Sequence, residues 1–434
     1  MLAEFIDRLP GRSATADVGL VIAGDIVDFL AEETWLAFTS DPNAACAKLR
    51  RILDDTAPIW ASLRRFVEQR DGALTLMLGN HDIEISLPAS RQLLRERLGG
   101  GRIDFIFDNE ALSVGPVLIE HGNRFDEWNA VPHGALRRVR SQLSRGLPVQ
   151  PEFPALPGSR LVVDVMNPLK RQYAFVDLLK PEDAGALPIL AALGAGGIRD
   201  AWKFFQRFRD ACRVDYDETR EPLSAEYIGA GDQSDEEMFD LAMEIENGGD
   251  ASQINAIGDA MRAASSAVSN LDRKVRRDAL FKAIRGRASR LLGAFEVDKE
   301  DDKYLTPART AADAGFKVVV YGHTHLVKRV RLGDAASDWP VYLNTGTWAD
   351  LMRMPDAVWA PDESHALNAL TRFIADLESG ALDDWRRAVP TYAKIEIDGE
   401  TLIDADVYFA DGAGAERVST DALLQRLAGG APHD

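Results

Sequence analysis

Lys317-Val318-Val319-Val320-Tyr321-Gly322-His323-Thr324-His325 carries the clearest structural signal in the chain. The apolar run after Lys317 is typical of a strand that is covered on both faces. Gly322 allows a backbone turn that would strain other residues, and two imidazoles follow, one residue apart. The pattern predicts a buried strand that ends in a loop whose histidines can aim at two adjacent metal ions. By itself it fits a pair of surface or core histidines equally well.

Three further predicted strands end in the same way. One runs into Gly24-Asp25-Ile26-Val27-Asp28, the next into Gly79-Asn80-His81-Asp82, and a third into His121-Gly122. A carboxylate just past a strand end can bridge two cations, because its two oxygens reach in different directions. The alternative for Asp25 is a cap on a helix that follows through Phe29, Leu30 and Trp35.

Together with Gly322-His323-x-His325, these motifs resemble in order and local context those of the calcineurin-like metallophosphoesterases. The resemblance covers roughly residues 18–123 and 316–348, and it includes Asn344-Thr345-Gly346-Thr347-Trp348 after a predicted strand. It implies an α/β (α+β) fold, the metallophosphoesterase four-layer sandwich of two mixed β-sheets flanked by helices. It also implies a dinuclear metal centre at the strand ends.

The resemblance implies a role for each motif side chain. Asp25 corresponds to the bridging carboxylate and His325 to a ligand of one metal ion, while the ligands of the other ion correspond to Asn80, His121 and His323. His81 corresponds to an imidazole that faces the substrate phosphate and can protonate the leaving oxygen, with Asp82 orienting its ring. Two divalent ions, with Mn, Fe, Zn, Co and Ni as candidates, would activate a water for in-line attack on phosphorus.

One expected motif is missing. The family has an Asp-x-His motif at the end of its first strand, which supplies two ligands to the ion shared with His325, and no histidine occurs between Met1 and Gly24. The helix predicted at residues 2–9 sits where the family's first helix follows that strand. We therefore expect a segment carrying Asp-x-His ahead of Met1. The alternative is a natural loss that leaves one ion with only Asp25 and His325.

Composition disfavours several classes of protein. Of the 434 residues, 46% are hydrophobic and 27% charged, as is typical of globular enzymes, and no apolar stretch approaches the ~20 residues that cross a bilayer. The formal net charge of −19 makes nucleic acid an unexpected partner, because phosphate backbones would be repelled. Two cysteines, Cys46 and Cys212, cannot form a disulfide framework. We expect a cytoplasmic location and a phosphorylated small molecule as partner, and the oligomeric state stays open.

The spacing of the motifs divides the chain. Residues 1–135 and 313–428 are predicted to form the two parts of the metallophosphoesterase core, residues 136–312 a large, mainly helical insertion or cap, and residues 429–434 a tail. The 200 residues between His121 and Gly322 are far more than a connection between two strands needs, so they predict an insertion. Arg124 is the candidate substrate-binding cation, and an ion pair with a local carboxylate is its alternative.

Smaller features complete the prediction. Helices are expected at residues 173–179 and 200–213, and Ser234-Asp235-Glu236-Glu237 is typical of a capping box. The basic stretch 273–290 either pairs with acidic residues elsewhere in the cap or faces the metal cleft. A turn at Asp398-Gly399 predicts a hairpin at the edge of the second sheet.

The sequence thus predicts a metal-dependent hydrolase of phosphate esters that uses a metal-activated water. Small phosphodiesters and nucleotide-sugar pyrophosphates rank first as substrates, because the motif style resembles the bacterial lipid-A-pathway pyrophosphatases. Phosphomonoesters also fall within the predicted class, while phosphoproteins and nucleic acids rank lower. The alternative is a catalytically impaired protein of the same fold with a binding or regulatory role, because one metal site lacks ligands.

Overall fold

The computed structural model describes residues 1–108, 111–126, 128–180, 280–282, 284–286, 288–333, 338–411 and 416–428. Over these residues the chain is a mixed α/β protein with several sheets. No helix in these ranges is long and apolar enough to cross a membrane. The helix predicted at 200–213, the capping box, half of the basic stretch 273–290 and the tail lie outside the described residues.

Three sheets are built from the described strands, whose bounds are β1 (Gly19–Ile22), β2 (Ala73–Met77), β3 (Arg102–Ile106), β4 (Leu112–Val114), β5 (Val117–Ile119), β6 (Val318–Tyr321), β7 (Val327–Arg331), β8 (Val341–Thr345), β9 (Thr391–Asp398) and β10 (Thr401–Phe409). The first sheet has the order β1-β2-β3 and is parallel throughout, where a mixed sheet was expected. The second sheet is mixed, in the order β4-β5-β6-β8-β7, with parallel ladders joining β5, β6 and β8.

The predicted hairpin is present as β9 and β10, which pair antiparallel with Thr401 opposite Asp398. Its predicted place at the edge of the second sheet is wrong, because the two strands form a sheet of their own. β7 already occupies the free edge of β8. The hairpin is attached by a side chain instead: the Thr391 hydroxyl donates to the Thr345 carbonyl at 2.6 Å.

Helices cover the sheets, and their described bounds are α1 (Leu2–Arg8), α2 (Pro42–Asp55), α3 (Ala57–Gln69), α4 (Pro88–Leu98), α5 (His133–Ser144), α6 (Pro157–Leu161), α7 (Asn167–Gln172), α8 (Phe175–Leu178), α9 (Ala288–Gly293), α10 (Asp302–Asp313), α11 (Glu363–Ser379) and α12 (Thr420–Ala428). A break at Thr56 separates α2 from α3. Pro58 lies in the first turn of α3, where its missing N–H costs no intrahelical hydrogen bond.

Strand β6 shows how the layers are held together. Val318 and Val320 belong to an apolar cluster that includes Met77 of the first sheet and Leu343 of the second, so the two sheets share a core. The alternate residues Val319 and Tyr321 belong to a cluster with Tyr304, Leu305 and Ala308 of α10. All four β6 side chains are buried, which confirms the prediction of a strand covered on both faces.

Two described segments of the predicted insertion pack on a helix that follows the second sheet, whereas α10, near the end of the insertion, packs on β6. Phe175 and Val176 of α8 share a cluster with Leu370 and Phe373 of α11. The cluster also contains Leu280, Phe281, Ile284 and Leu291. Segment 157–180 therefore rests on the chain that follows the second sheet.

A buried carboxyl group, Glu84, fastens the loop that follows β2. Glu84 is 2% exposed, and its Oε1 accepts a hydrogen bond of 2.7 Å from the Thr39 amide. Beside it, the buried Lys48 ammonium donates to the Phe29 carbonyl at 3.2 Å. Burial raises the pKa of Glu84 from 4.5 to about 7, because the charged form loses its hydration.

This shift predicts a dependence of stability on pH. A carboxyl group whose pKa is raised on folding stabilises the protein below its unfolded pKa of 4.5, and this stabilisation is lost as pH rises through about 7. Relative to Glu84→Gln, the free energy of unfolding of the wild type should fall by roughly 2–3 kcal/mol between pH 5 and pH 8. Urea unfolding at both pH values measures it, with the exposed Glu400→Gln as control. Equal pH dependence in E84Q and wild type would contradict the assignment.

Candidate metal centre

The loops that follow β1, β2, β5 and β6 meet at one edge of the two sheets. In the first sheet β1 runs parallel to β2, and in the second sheet β5 runs parallel to β6. The two loops of each pair therefore leave from the same end of their sheet. The last two loops are tied directly, since the Gly322 amide donates to the His121 carbonyl at 2.9 Å. The fold therefore gathers the four strand-end motifs into one place.

Asp25 lies at the middle of this group. Its Oδ1 accepts a 2.8 Å hydrogen bond from the His81 amide, and its Oδ2 lies 3.1 Å from His121 Nε2. Burial works to raise the pKa of Asp25, but the His121 and His81 rings outweigh it and hold that pKa well below its usual range. The carboxylate is thus anionic and shared between two loops.

Two glycines make this close packing sterically allowed. A Cβ on Gly79 would lie 2.0 Å from Asp25 Oδ1, and a Cβ on Gly24 would lie 2.4 Å from His121 Nδ1. Gly24 also has a φ of 91°, in the left-handed region that favours glycine. A side chain at position 79 would fit only if the Asp25 carboxylate moved, and one at position 24 only if the His121 imidazole moved.

Asn80 connects the two histidines. Its Oδ1 lies 3.2 Å from His121 Nε2 and 3.1 Å from His323 Nδ1, and its amide group donates to Asn129 Oδ1 at 3.2 Å. His121 Nδ1 donates to the Ala23 carbonyl at 2.6 Å, which directs Nε2 towards Asp25 and Asn80. Burial works to lower the pKa of His121, but the Asp25 carboxylate raises it.

The donor atoms have spacings that fit a shared divalent ion. Asp25 Oδ2, His121 Nε2, Asn80 Oδ1 and His323 Nδ1 follow one another at 3.1–3.2 Å. Ligands held about 2.1 Å from an ion lie about 3 Å apart. Within the described residues, no group of three His, Cys, Asp or Glu side chains surrounds a single point as a metal site would. Any ion here therefore depends on the Asn80 amide oxygen as a ligand.

The structure adds Asp126, which the sequence did not single out. Its Oδ2 accepts from His323 Nε2 at 3.0 Å and from Asn129 Nδ2 at 2.8 Å. Burial works to raise the pKa of Asp126, but the hydrogen bond from His323 outweighs it and the pKa lies well below its usual range. The available signal was its position five residues after His121 and two after the candidate cation Arg124.

The His81 ring is held by Asp28, not by Asp82 as expected. Its Nδ1 donates to Asp28 Oδ1 at 3.2 Å. Burial works to lower the pKa of His81, but the carboxylates of Asp25 and Asp28 raise it to about 9. Asp28 also accepts from the amides of Leu30 and Ala31. The segment is a series of turns, so the alternative of Asp25 as a helix cap is wrong.

Asp82 instead ties two site loops together. Its carboxylate accepts from the Gly79 amide at 2.7 Å and from the Ile26 amide at 3.1 Å. Asp82 is fully buried, and burial together with the negative charge of Asp25 raises its pKa to about 8. It positions the loops that carry Asp25 and Asn80.

Two predicted site residues stand apart from the contact network. The His325 ring makes no hydrogen bond with the described part of the chain. Burial lowers the pKa of His325, as do the charges of Lys180 and His81, whereas the Asp25 carboxylate acts to raise it. Arg124 pairs with Glu120 at 3.3 Å, which is its local alternative. It lines a cavity of about 40 Å³ behind His121.

The backbone of this centre is strained at three residues that are not glycine. Asp25, His323 and His325 have φ values of 55°, 66° and 64°. Such conformations are uncommon for residues other than glycine, although Asp and His adopt them more readily than most, and they concentrate at functional sites.

Comparison of the chain with protein-family models, with curated proteins and with solved structures gives no match.

Gly79→Ala tests the crowding around Asp25. The added Cβ would displace the carboxylate, so we expect Mn²⁺ affinity to fall at least about tenfold, as when a group that orients a ligand is lost. Isothermal titration with Mn²⁺ measures it. Gly100→Ala is the matched control, because a Cβ there meets nothing within 4 Å. An affinity of G79A equal to that of G100A would show that the position of Asp25 does not govern metal binding.

Proposed function

We propose that this chain is a metal-dependent hydrolase of phosphate esters with the layered fold of the metallophosphoesterases. The observation that carries the proposal is the position of Asp25, whose carboxylate contacts the His81 amide and the His121 ring while Asn80 joins His121 to His323. Carboxylate, amide and imidazole donors match divalent ions such as Mn, Fe, Zn, Co and Ni.

The packing supports the fold assignment. One apolar cluster joins the two sheets, and further clusters place α1, α3 and α4 outside the first sheet and α10 outside the second. Helices, sheet, sheet and helices is the order of layers in the proposed sandwich. The sheets differ from the expectation in two respects: the first is parallel, and β9 and β10 form a sheet of their own.

The residues of the chain supply distinct parts of the chemistry. Asp25, Asn80, His121 and His323 would hold an ion, which when bound supplies positive charge that polarises the phosphoryl group. His81 is the proton donor to the leaving oxygen, because Asp25 and Asp28 keep its ring cationic. Asp28 holds Nδ1 of that ring, so Nε2 is the atom that delivers the proton.

Asp25→Asn is expected to remove activity and to lower metal content, because the amide carries no charge to hold the cation. Metal analysis after dialysis and a panel of phosphomonoester, phosphodiester and pyrophosphate substrates measure both effects. Asp104→Asn, an exposed residue of β3, is the matched control. Metal occupancy in D25N equal to that in D104N would remove Asp25 from the centre.

His81→Ala should act differently, with metal retained and turnover of an aryl phosphodiester reduced about 10²–10⁴-fold, the usual loss when a general acid is removed. The exposed His365 provides the control variant, His365→Ala. Turnover of H81A within threefold of the control would exclude proton donation by His81.

A second function follows from the sparse ligands on the His325 side. Among the described residues, only His325 and the shared Asp25 are assigned to a second ion. A protein that binds one ion can recognise a phosphorylated ligand without hydrolysing it. One bound metal ion per chain, together with turnover no faster than the uncatalysed reaction, would favour this binding or regulatory role over hydrolysis.

A further inference from the structure

The Asn80 amide fits the centre in two orientations, because the oxygen and the nitrogen of an amide have nearly the same size and shape. Only the oxygen offers a lone pair that a metal ion can bind. Asn80 is 3% exposed, so protein groups decide which end faces inwards. Its neighbours are His121 and His323 on the inner side and Asn129 on the other.

The two inner neighbours do not favour the orientation that binds metal. His121 Nδ1 donates to the Ala23 carbonyl at 2.6 Å. His323 Nε2 donates to Asp126 Oδ2 at 3.0 Å. In the neutral rings that bind metal ions, His121 Nε2 and His323 Nδ1 therefore carry lone pairs. Lone pairs attract N–H groups, so these two atoms would by themselves turn the nitrogen of Asn80 inwards.

Asn129 supplies the acceptor that opposes them. Its Oδ1 accepts from Asn80 Nδ2 at 3.2 Å, and its own Nδ2 donates to Asp126 Oδ2 at 2.8 Å. Because a carboxylate oxygen has no proton to donate, Asp126 requires the nitrogen of Asn129 on its side. The oxygen of Asn129 is then left for Asn80. Each amide thus sets the orientation of the next, beginning at Asp126.

Further contacts hold Asn129 in place. Its backbone amide donates to the Asp126 carbonyl at 3.0 Å, and its carbonyl accepts from Asn123 Nδ2 at 2.8 Å. Helix α6 of the insertion also packs against it. A Cβ on Gly158 would lie 2.9 Å from Asn129 Cγ and closer still to Oδ1, and the Gly158 amide donates to the Trp128 carbonyl at 2.9 Å. The insertion therefore helps to fix the Asn129 side chain.

We propose that Asn129 is a positioning residue, which holds the Asn80 amide with its oxygen towards His121 and His323. Asn129 acts through Asn80 and contacts neither the ion nor the substrate. This inference rests on the proposed function, because the ion of that function is what the Asn80 oxygen would bind.

A double-mutant cycle between positions 80 and 129 tests the inference. Isothermal titration with Mn²⁺ compares Asn129→Leu with Leu at the exposed Asn43 of α2 (N43L), in the wild type and in an Asn80→Asp background. Leucine is close to asparagine in shape but accepts no hydrogen bond, so N129L should bind Mn²⁺ about 10- to 100-fold more weakly than N43L. The carboxylate of N80D has an oxygen at both ends, so N129L should cost under about threefold in that background.

Gly158→Ala is a second variant, and it leaves the chemistry of Asn129 unchanged. The added Cβ would push the Asn129 oxygen away from Asn80, so G158A should bind Mn²⁺ at least about tenfold more weakly than Gly100→Ala, whose Cβ meets nothing within 4 Å.

Neutron diffraction from deuterium-exchanged crystals of the metal-free wild type reads the amide orientation directly and needs no variant. We expect deuterium on the Asn80 atom that faces Asn129 and none on the atom that faces His121. The opposite arrangement would overturn the inference. So would equal losses of N129L in the two backgrounds, or an affinity of G158A equal to that of G100A.

Failure of the proposed function has a different signature. The expected amide orientation in a wild type that binds no Mn²⁺ would keep the role of Asn129 and reject the metal-dependent hydrolase. The expected coupling of positions 80 and 129 in Mn²⁺ binding, with no turnover of p-nitrophenyl phosphate or bis-p-nitrophenyl phosphate, would keep that role and reject hydrolysis of these esters.

Discussion

The position of one carboxylate, that of Asp25, constrains the rest of the candidate centre. It lies between the His81 amide and the His121 ring, at a backbone φ of 55° and against a glycine that leaves no space for a Cβ. Such a conformation costs of order 1–3 kcal/mol and persists only where the surroundings fix it. Here the surroundings are the buried Asp82 carboxylate and the parallel strands beneath both loops.

The two sheets supply the rigidity that this arrangement needs. Their shared core fixes the carboxyl ends of β2 and β6 relative to each other, so Asn80 and His323 can meet although 243 residues separate them. Side chains on rigid strand ends hold their geometry better than side chains on long loops. Residues 167–180 are attached to the rest of the chain by main-chain hydrogen bonds at Met352 and by a side-chain hydrogen bond to the Leu30 carbonyl.

The sequence predicted the strands well, because apolar runs that stop at glycine are a local signal. It could not predict Asp28 and Asp126 as partners of His81 and His323, because those contacts depend on how turns without a repeating pattern fold. The placement of the hairpin in a separate sheet was missed for a related reason. The sequence shows that β9 and β10 pair with each other, but it does not show that β7 already pairs with the outer edge of β8.

The proposed hydrolase requires an ion held by Asp25 together with Asn80, His121 and His323. Anomalous X-ray scattering from crystals grown with Mn²⁺ measures this directly. We expect an anomalous peak about 2.0–2.3 Å from Asp25 Oδ2 and from the nearest atoms of Asn80, His121 and His323. Ordered density for these four side chains in their present contacts, with no peak between them at millimolar Mn²⁺, would contradict it.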